Sequence, residues 1–470
     1  MSSTGRRVLA AVSLVLVAAW AAGAENDLVR RVDEVVRAEM KRQKIPGMAV
    51  AVVRDGTVLL ASGYGLANVE LQVPVTDRTI FQSGSVGKQF TAAAVMLLVE
   101  EGRIQLDAPV TTYLPDAPSA WRAITIRHLL THTSGLPDYT NDTFDYRRDY
   151  DEDELLRFAY ALDAEFPAGA RWNYSNTGYV LLGIIVRKVS GQFYGDVLRE
   201  RVFEPLGMRS ARVISEADIV PNRAAGYRLV DGELKNQHWV APSLNTTADG
   251  ALYVSLRDMI AWDAGLRERK VLRSASWTQV FEPVRLSSGR TYPYGFGWAV
   301  DQVSGHPVQR HGGSWQGFKA DIARYPADKL TIIVLANLAQ ADPGKVSDAI
   351  VAVIDPALAP PTLKPLADDD PQMQSRVRRL LAEAASGRLS REEFAYVRAG
   401  YFPAANQRFQ KMLTGAGQLQ KLVLLSRREL GDDTVSTYDA HFARRTFKVG
   451  LAVAPDGRLA DFRIAPNPDR

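Results

Sequence analysis

Between Phe90 and Val99 the chain carries one polar side chain, Thr91, and the apolar run stops at Glu100-Glu101-Gly102. A helix that is apolar all round is a buried helix, and a glycine just past the last turn marks its end. Upstream, Asp27 to Gln43 has helical amphipathic spacing. Gly47 to Val53 and Thr57 to Gly63 then form two apolar runs joined at Asp55-Gly56, the signature of a tight hairpin. The middle of the chain is helix-rich, with Ile126 to Thr131, Gly178 to Val189 and Leu256 to Leu266 as further helices separated by long loops. Strand patterns return at Gly295 to Val300, Val308 to His311, Phe318 to Tyr325 and Leu330 to Leu338, followed by a helix from Lys345 to Ile354. Strands at both ends with helices between them predict an α/β (α+β) fold: an antiparallel sheet closed by distant segments, flanked by helices, with a helical insertion.

Residues 356–371 are proline-rich, end in Asp368-Asp369-Asp370 and read as a linker. Beyond them, helical patterns to about Leu413 precede four strand-like runs, Gln420 to Ser426, Thr434 to Ala440, Thr446 to Ala454 and Leu459 to Ile464, with a turn at Asp456-Gly457. The expected organisation is a first domain over 25–355 and a small separate α+β domain over 372–470 that offers no chemical constellation of its own.

The first 24 residues stand apart: Arg6-Arg7, an apolar stretch from Val8 to Ala19, and Ala22-Gly23-Ala24 have the layout of a secretory signal peptide. The apolar stretch is shorter than the roughly 18 to 20 residues of a membrane span, and no later segment is long and apolar enough for one. A periplasmic or secreted protein is expected. Two arginines leave with the leader, so 55 basic residues face 53 acidic ones, which is no nucleic-acid footprint. With no cysteine in the chain there is no disulfide framework, thiolate metal site, cysteine nucleophile or lipid-modified N-terminus.

Against this background Lys88 is anomalous, an ammonium on the first turn of a core helix, where burial favours the neutral amine. Ser85 lies three residues before it, so one helical turn brings Oγ and Nζ within hydrogen-bond reach. A hydroxyl becomes a nucleophile when a base takes its proton. The helix N-terminus, with Gly84 and Gly87 keeping it uncluttered, suits an oxyanion on an attacked carbonyl. Ser-x-x-Lys alone recurs by chance in long chains, and context decides. Two further elements lie downstream: Tyr174-Ser175-Asn176, just before a helix, and His311-Gly312-Gly313-Ser314, on a strand.

With these motifs the chain resembles the serine β-lactamase and penicillin-binding protein superfamily, in particular the class C β-lactamase-like branch with its D-alanyl-D-alanine carboxypeptidases, D-aminopeptidases and family VIII carboxylesterases. The resemblance runs from about Leu28 to Leu338 and includes the stretch Ile124 to Leu136, Glu204-Pro205-Leu206-Gly207-Met208 and Asp249-Gly250-Ala251-Leu252. It implies a β-lactamase/transpeptidase-like fold with Ser85 as acylated nucleophile, Lys88 as its partner and Tyr174 as a second general base. Asn176 would hold the substrate carbonyl, and the N–H groups of Ser85 and Ser314 would form the oxyanion hole. His311, Gly312 and Gly313 would line the substrate strand. No metal and no organic cofactor are implied. The substrate would be a small ester, amide or peptide, with cell-wall peptides or β-lactams as alternatives, and a non-catalytic sensor as the rival from another class. The third motif departs from the family pattern, whose middle position commonly carries a hydroxyl that helps bind a substrate carboxylate; Gly312 has none. That loss favours ester or amide hydrolysis over β-lactam hydrolysis. His128 and His132 have an i, i+4 spacing that can hold zinc, but Leu129 stands where a metalloprotease needs glutamate, so structural roles are expected. Trp298, Trp315, Tyr139, Tyr292 and Tyr294 are expected mainly as packing residues, and the pairs Arg147-Arg148 and Arg444-Arg445 as solvated surface.

Overall fold

A computed structural model describes residues 26–140, 144–213, 218–396 and 401–467. The leader expected over 1–24 lies outside the described residues. Two compact units divide the chain. One comprises the residues up to Glu101 with Ser190–Phe281 and Phe296–Pro360, and the other Gly102–Val189, Glu282–Gly295 and the chain from Pro361 onward.

The first unit is built on a seven-stranded antiparallel sheet. Its strands are β1 (Gly47–Arg54), β2 (Thr57–Asn68), β3 (Val73–Pro74), β4 (Ala299–Val303), β5 (His306–Trp315), β6 (Phe318–Tyr325) and β7 (Leu330–Ala336), in the order β4-β5-β6-β7-β1-β2-β3. The two ends of the region meet at its centre, where Met48 opposes Ala336 and Arg54 opposes Leu330. β1 and β2 turn at Asp55 and Gly56 with φ of 51° and 81°, the left-handed pair a two-residue hairpin requires.

β1 is apolar along its length because both faces are covered. Met48, Val50 and Val52 pack with Val32 and Val36 of the 26–43 helix and with Val346, Ile350 and Val351 of the Pro343–Ile354 helix. On the opposite side of the sheet the Leu256–Arg267 helix begins at a capping box, in which the Ser255 N–H donates to Asp258 at 2.9 Å. One turn before its end it delivers a buried carboxylate, Asp263. Oδ1 accepts from Arg324 Nε at 2.8 Å and from Thr331 Oγ1 at 2.9 Å, while Oδ2 accepts from Arg267 at 3.1 Å. The Asp263 and Arg324 side chains are 2% and 8% exposed, so this ion pair ties helix to sheet out of reach of solvent screening.

In the second unit the C-terminal region is a meander of β8 (Leu419–Leu430), β9 (Asp433–Phe442), β10 (Thr446–Val453) and β11 (Leu459–Pro466), paired antiparallel in chain order. The Pro371–Ala385 and Tyr401–Leu413 helices supply Leu380, Leu381, Phe409 and Leu413 to a core shared with Tyr438, Val449, Leu451 and Phe462. Here Arg171 pairs with Asp433 and lies over the ring of Tyr396, 4.2 Å from its centroid. No helix among the described residues is long and apolar enough to cross a membrane.

Replacing Asp263 by Ala leaves Arg324 buried without its carboxylate. Urea unfolding is expected to show a loss of about 3 to 5 kcal/mol, with Asp263→Asn intermediate because it keeps an acceptor.

Candidate active site

The segment before the buried helix opens not with an α-turn but with a 3-10 turn, Gly84–Gly87, after which Lys88 is the first residue of the Lys88–Glu100 helix. The tighter turn eclipses residues three apart. Lys88 Nζ accordingly stands 3.1 Å from Ser85 Oγ. It also donates to the main-chain carbonyl of Asp249, and one turn on Thr91 Oγ1 donates to Ala248 O at 2.6 Å. Lys88 is fully buried, so these acceptors replace the water its amino group has lost. From Thr79 to Leu98 every residue is buried except Ser85. Ser85, half-buried, is thus the one residue of this core segment that retains exposure.

The turn is held by main chain on main chain. A Cβ on Gly313 of β5 would fall 1.9 Å from Ser83 O; one on Gly84 would fall 2.3 Å from Ser314 N; one on Gly250 would fall 2.7 Å from the Gly84 carbonyl carbon. Gly84 also needs its freedom for a φ of 51°. Gly312 differs: a Cβ there would meet only Ala320 O, at 3.8 Å. The missing hydroxyl of the third motif is therefore not forced by packing.

His311 precedes these glycines on β5 and is 8% exposed. Burial, reinforced by the charge of Lys88, pushes its pKa down to about 4, against the opposing pull of the Gly312 carbonyl. At neutral pH the ring is neutral, and Nδ1–H donates to Gly312 O at 2.7 Å.

Tyr174 and Asn176 belong to the second unit. Asn176 begins the Asn176–Ser190 helix and donates Nδ2 to Asp138 Oδ2 at 2.9 Å; Asp138 Oδ1 takes the N–H and hydroxyl of Thr140, both at 2.9 Å. The Tyr174 ring lies 4.2 Å from that of His132, centroid to centroid. His132, buried and at φ 59°, accepts from the Ser175 N–H through Nδ1 and meets the Tyr294 hydroxyl through Nε2, both at 3.2 Å. With Nδ1 accepting, the ring carries its proton on Nε2 and donates it to the Tyr294 hydroxyl; burial raises Tyr294 well above the ordinary phenol range, so that hydroxyl keeps its own proton. His128 closes a capping box with Thr125. No cluster of three or more metal-ligating side chains occurs among the described residues.

Ser85, Lys88 and the strand His311 to Ser314 are therefore gathered in one unit, and Tyr174 and Asn176 stand together in the other. Sequence reasoning passed over the partners of these groups: the Asp249 carbonyl, Asp138, and Gly297, whose Cβ would meet Lys88 O at 2.8 Å. Asp138 had a signal, since it lies two residues past the stretch ending at Leu136. A carbonyl has none.

A family model described as Beta-lactamase matches residues 32–354. Penicillin-binding protein 4* of Bacillus subtilis is 32% identical over 309 residues, covering 60% of this chain and 68% of that protein. A D-aminopeptidase of Gluconobacter oxydans is 31% identical over 319 residues, 65% of this chain and 58% of the relative. Among solved structures, the octameric penicillin-binding protein homologue from Pyrococcus abyssi has the same fold, with a TM-score of 0.63 at 24% identity, over 94% of this chain and 96% of that one.

The glycine contacts predict opposite outcomes for neighbouring substitutions. Gly313→Ala is expected to lower stability by about 1 to 3 kcal/mol through overpacking, whereas thermal unfolding of Gly312→Ala should match the parent within about 0.5 kcal/mol. His311 predicts a pH dependence. Its folded pKa lies below its unfolded value of about 6.5, so the unfolded chain binds the proton more readily between these values. Stability falls as pH drops from about 6.5 to about 4. His311→Asn is expected to remove that part of the slope in denaturant titrations.

Proposed function

The chain belongs to the β-lactamase family of serine hydrolases, and from that membership we propose an exported enzyme in which Ser85 is acylated by an ester, amide or peptide carbonyl. The observation that carries this reading is the 3.1 Å contact between Lys88 Nζ and Oγ of Ser85, the one residue of its segment that is not buried. Lys88 as the free amine takes the hydroxyl proton, and Oγ forms a bond to the carbonyl carbon. The oxyanion is received by the N–H groups of Ser85 and Ser314, while Asn176 orients the substrate carbonyl. As the intermediate collapses, the leaving alcohol or amine takes a proton returned through Lys88 and Tyr174. Water then hydrolyses the acyl-enzyme by the reverse proton path, with no metal or cofactor in any step. His311, neutral at the pH of catalysis, adds no positive charge beside Lys88 as Lys88 takes up the hydroxyl proton.

For the substrate, small esters and amides or peptides of D-amino acids rank first, cell-wall carboxypeptidase activity second and β-lactam hydrolysis third. Gly312 supports this order, because no hydroxyl is offered there to a substrate carboxylate although the space exists. The named activity of the Gluconobacter relative points the same way. Export rests on the leader-like residues 1–24, and the first domain is taken to be 25–355 with the C-terminal region from 372 as a separate domain.

Intact-mass measurement after mixing with a nitrophenyl ester, a D-amino-acid amide or a penicillin tests both reaction and order. The ester and the amide are expected to turn over through an adduct on Ser85. Ser85→Ala should show no adduct and lose at least about 10³-fold in rate with its thermal transition unchanged. Undiminished turnover in that variant removes the assignment, and a penicillin that alone acylates Ser85 reverses the substrate order.

A further inference from the structure

An open groove of about 650 Å3 lies in the second unit between the Tyr401–Leu413 helix and the turn joining β9 to β10. Arg408 and Lys411, three apart on one helix face, line it from the helix and Arg444 and Arg445 from the turn, with partly buried Met412 and exposed Pro466 as apolar lining. No carboxylate lines it. None of the four cations makes an ion pair among the described residues, and their one recorded side-chain interaction is Arg408 over the neighbouring Phe409 ring. Five other arginines of the same domain are paired, Arg376 with Glu393, Arg379 with Glu383, Arg427 with Asp368, Arg458 with Asp456 and Arg463 with Asp461; what sets the groove apart is that its four cations face one another across a common space.

The whole chain carries a formal excess of +4, and this groove gathers four cations that have no ion-pair partner among the described residues. Such a cluster repels itself and costs stability unless an anion from outside balances it. The arginine pair is not on a loose tip. Ala443 N donates to Gln418 O and Arg444 N to Ala416 O, both at 3.0 Å, and Phe442 N donates to Arg445 O at 2.9 Å. Guanidinium forks held on a fixed turn match phosphate oxygens two at a time, and the apolar contacts offered beside them by partly buried Met412 and exposed Pro466 suit an anion with an apolar continuation better than a free one. We propose that this groove is a docking site for anionic phospholipid headgroups, which gives the C-terminal region a membrane-surface role separate from the hydrolase chemistry.

The test is flotation of the purified protein with vesicles of phosphatidylcholine, with and without phosphatidylglycerol. Binding is expected only when phosphatidylglycerol is present, and is expected to weaken as salt is raised. Arg444→Glu/Arg445→Glu and, on the opposite wall, Arg408→Glu/Lys411→Glu should each weaken it at least tenfold. Arg122→Glu/Arg209→Glu, which removes the same charge elsewhere, should leave it intact. Turnover of the nitrophenyl ester is expected to be unchanged in all three, so failure here is distinguishable from failure of the proposed reaction. If one wall variant does not fold, the other decides. The proposal is overturned if the parent ignores phosphatidylglycerol, if the folded wall variants bind as the parent does, or if soluble polyphosphate binds as tightly as the vesicles do.

Discussion

Everything at the candidate site depends on main chains approaching more closely than side chains permit. The turn carrying Ser85 lies between β5 and the loop through Gly250, and at Gly84, Gly250 and Gly313 a single methyl would occupy space already filled by a neighbouring carbonyl or amide. Because the gap is closed, the Asp249 carbonyl reaches Lys88, and the helix tolerates a lysine amino group in its apolar first turn. The same closure leaves Ser85 as the accessible residue of the segment. Nucleophile, base and presentation follow from one steric constraint.

Much of this was legible in the chain. The buried helix declares itself through a run with one polar residue, the first hairpin through Asp55-Gly56, and the central strand through apolar residues at successive positions, which report two covered faces. The Ser85 to Lys88 spacing was legible too, although the turn proved to be 3-10 and not α. The gaps have physical reasons. A hairpin of Tyr227–Val230 with Glu233–Asn236 escaped notice despite its Asp231-Gly232 turn, because its half-exposed strands have weak alternation. Asp263 read as an ordinary helix residue, since its partners Arg324 and Thr331 lie more than 60 positions away. Asp249 acts through a main-chain oxygen, which every residue has. The contact of Arg171 with Asp433 across 262 positions likewise leaves no local trace.

The two charged networks of the main sheet show a division of labour. On one face Asp263 receives Arg324, Thr331 and Arg267; on the other Arg310 bridges Asp321 and Asp348 at 2.9 and 2.7 Å. Each ties a covering helix to neighbouring strands. Such pairs add little net stability over apolar packing of the same volume, but they penalise any register in which a charge is stranded. They therefore act on the uniqueness of the sheet more than on its depth in energy, as suits a fold whose site needs β5 within tenths of an ångström.

The pairing of β1 with β7 sets an order of events during synthesis. Met48 opposes Ala336, so one edge of β1 waits while 287 further residues emerge, roughly 15 to 60 s at ordinary ribosome speeds of about 5 to 20 residues per second. Through that interval the hairpin of β1 and β2 presents a valine-rich open edge, the kind of surface on which strands of separate chains join. The architecture that brings distant segments together at the centre of the sheet thus leaves each nascent molecule dependent on shielding until its own late strand arrives.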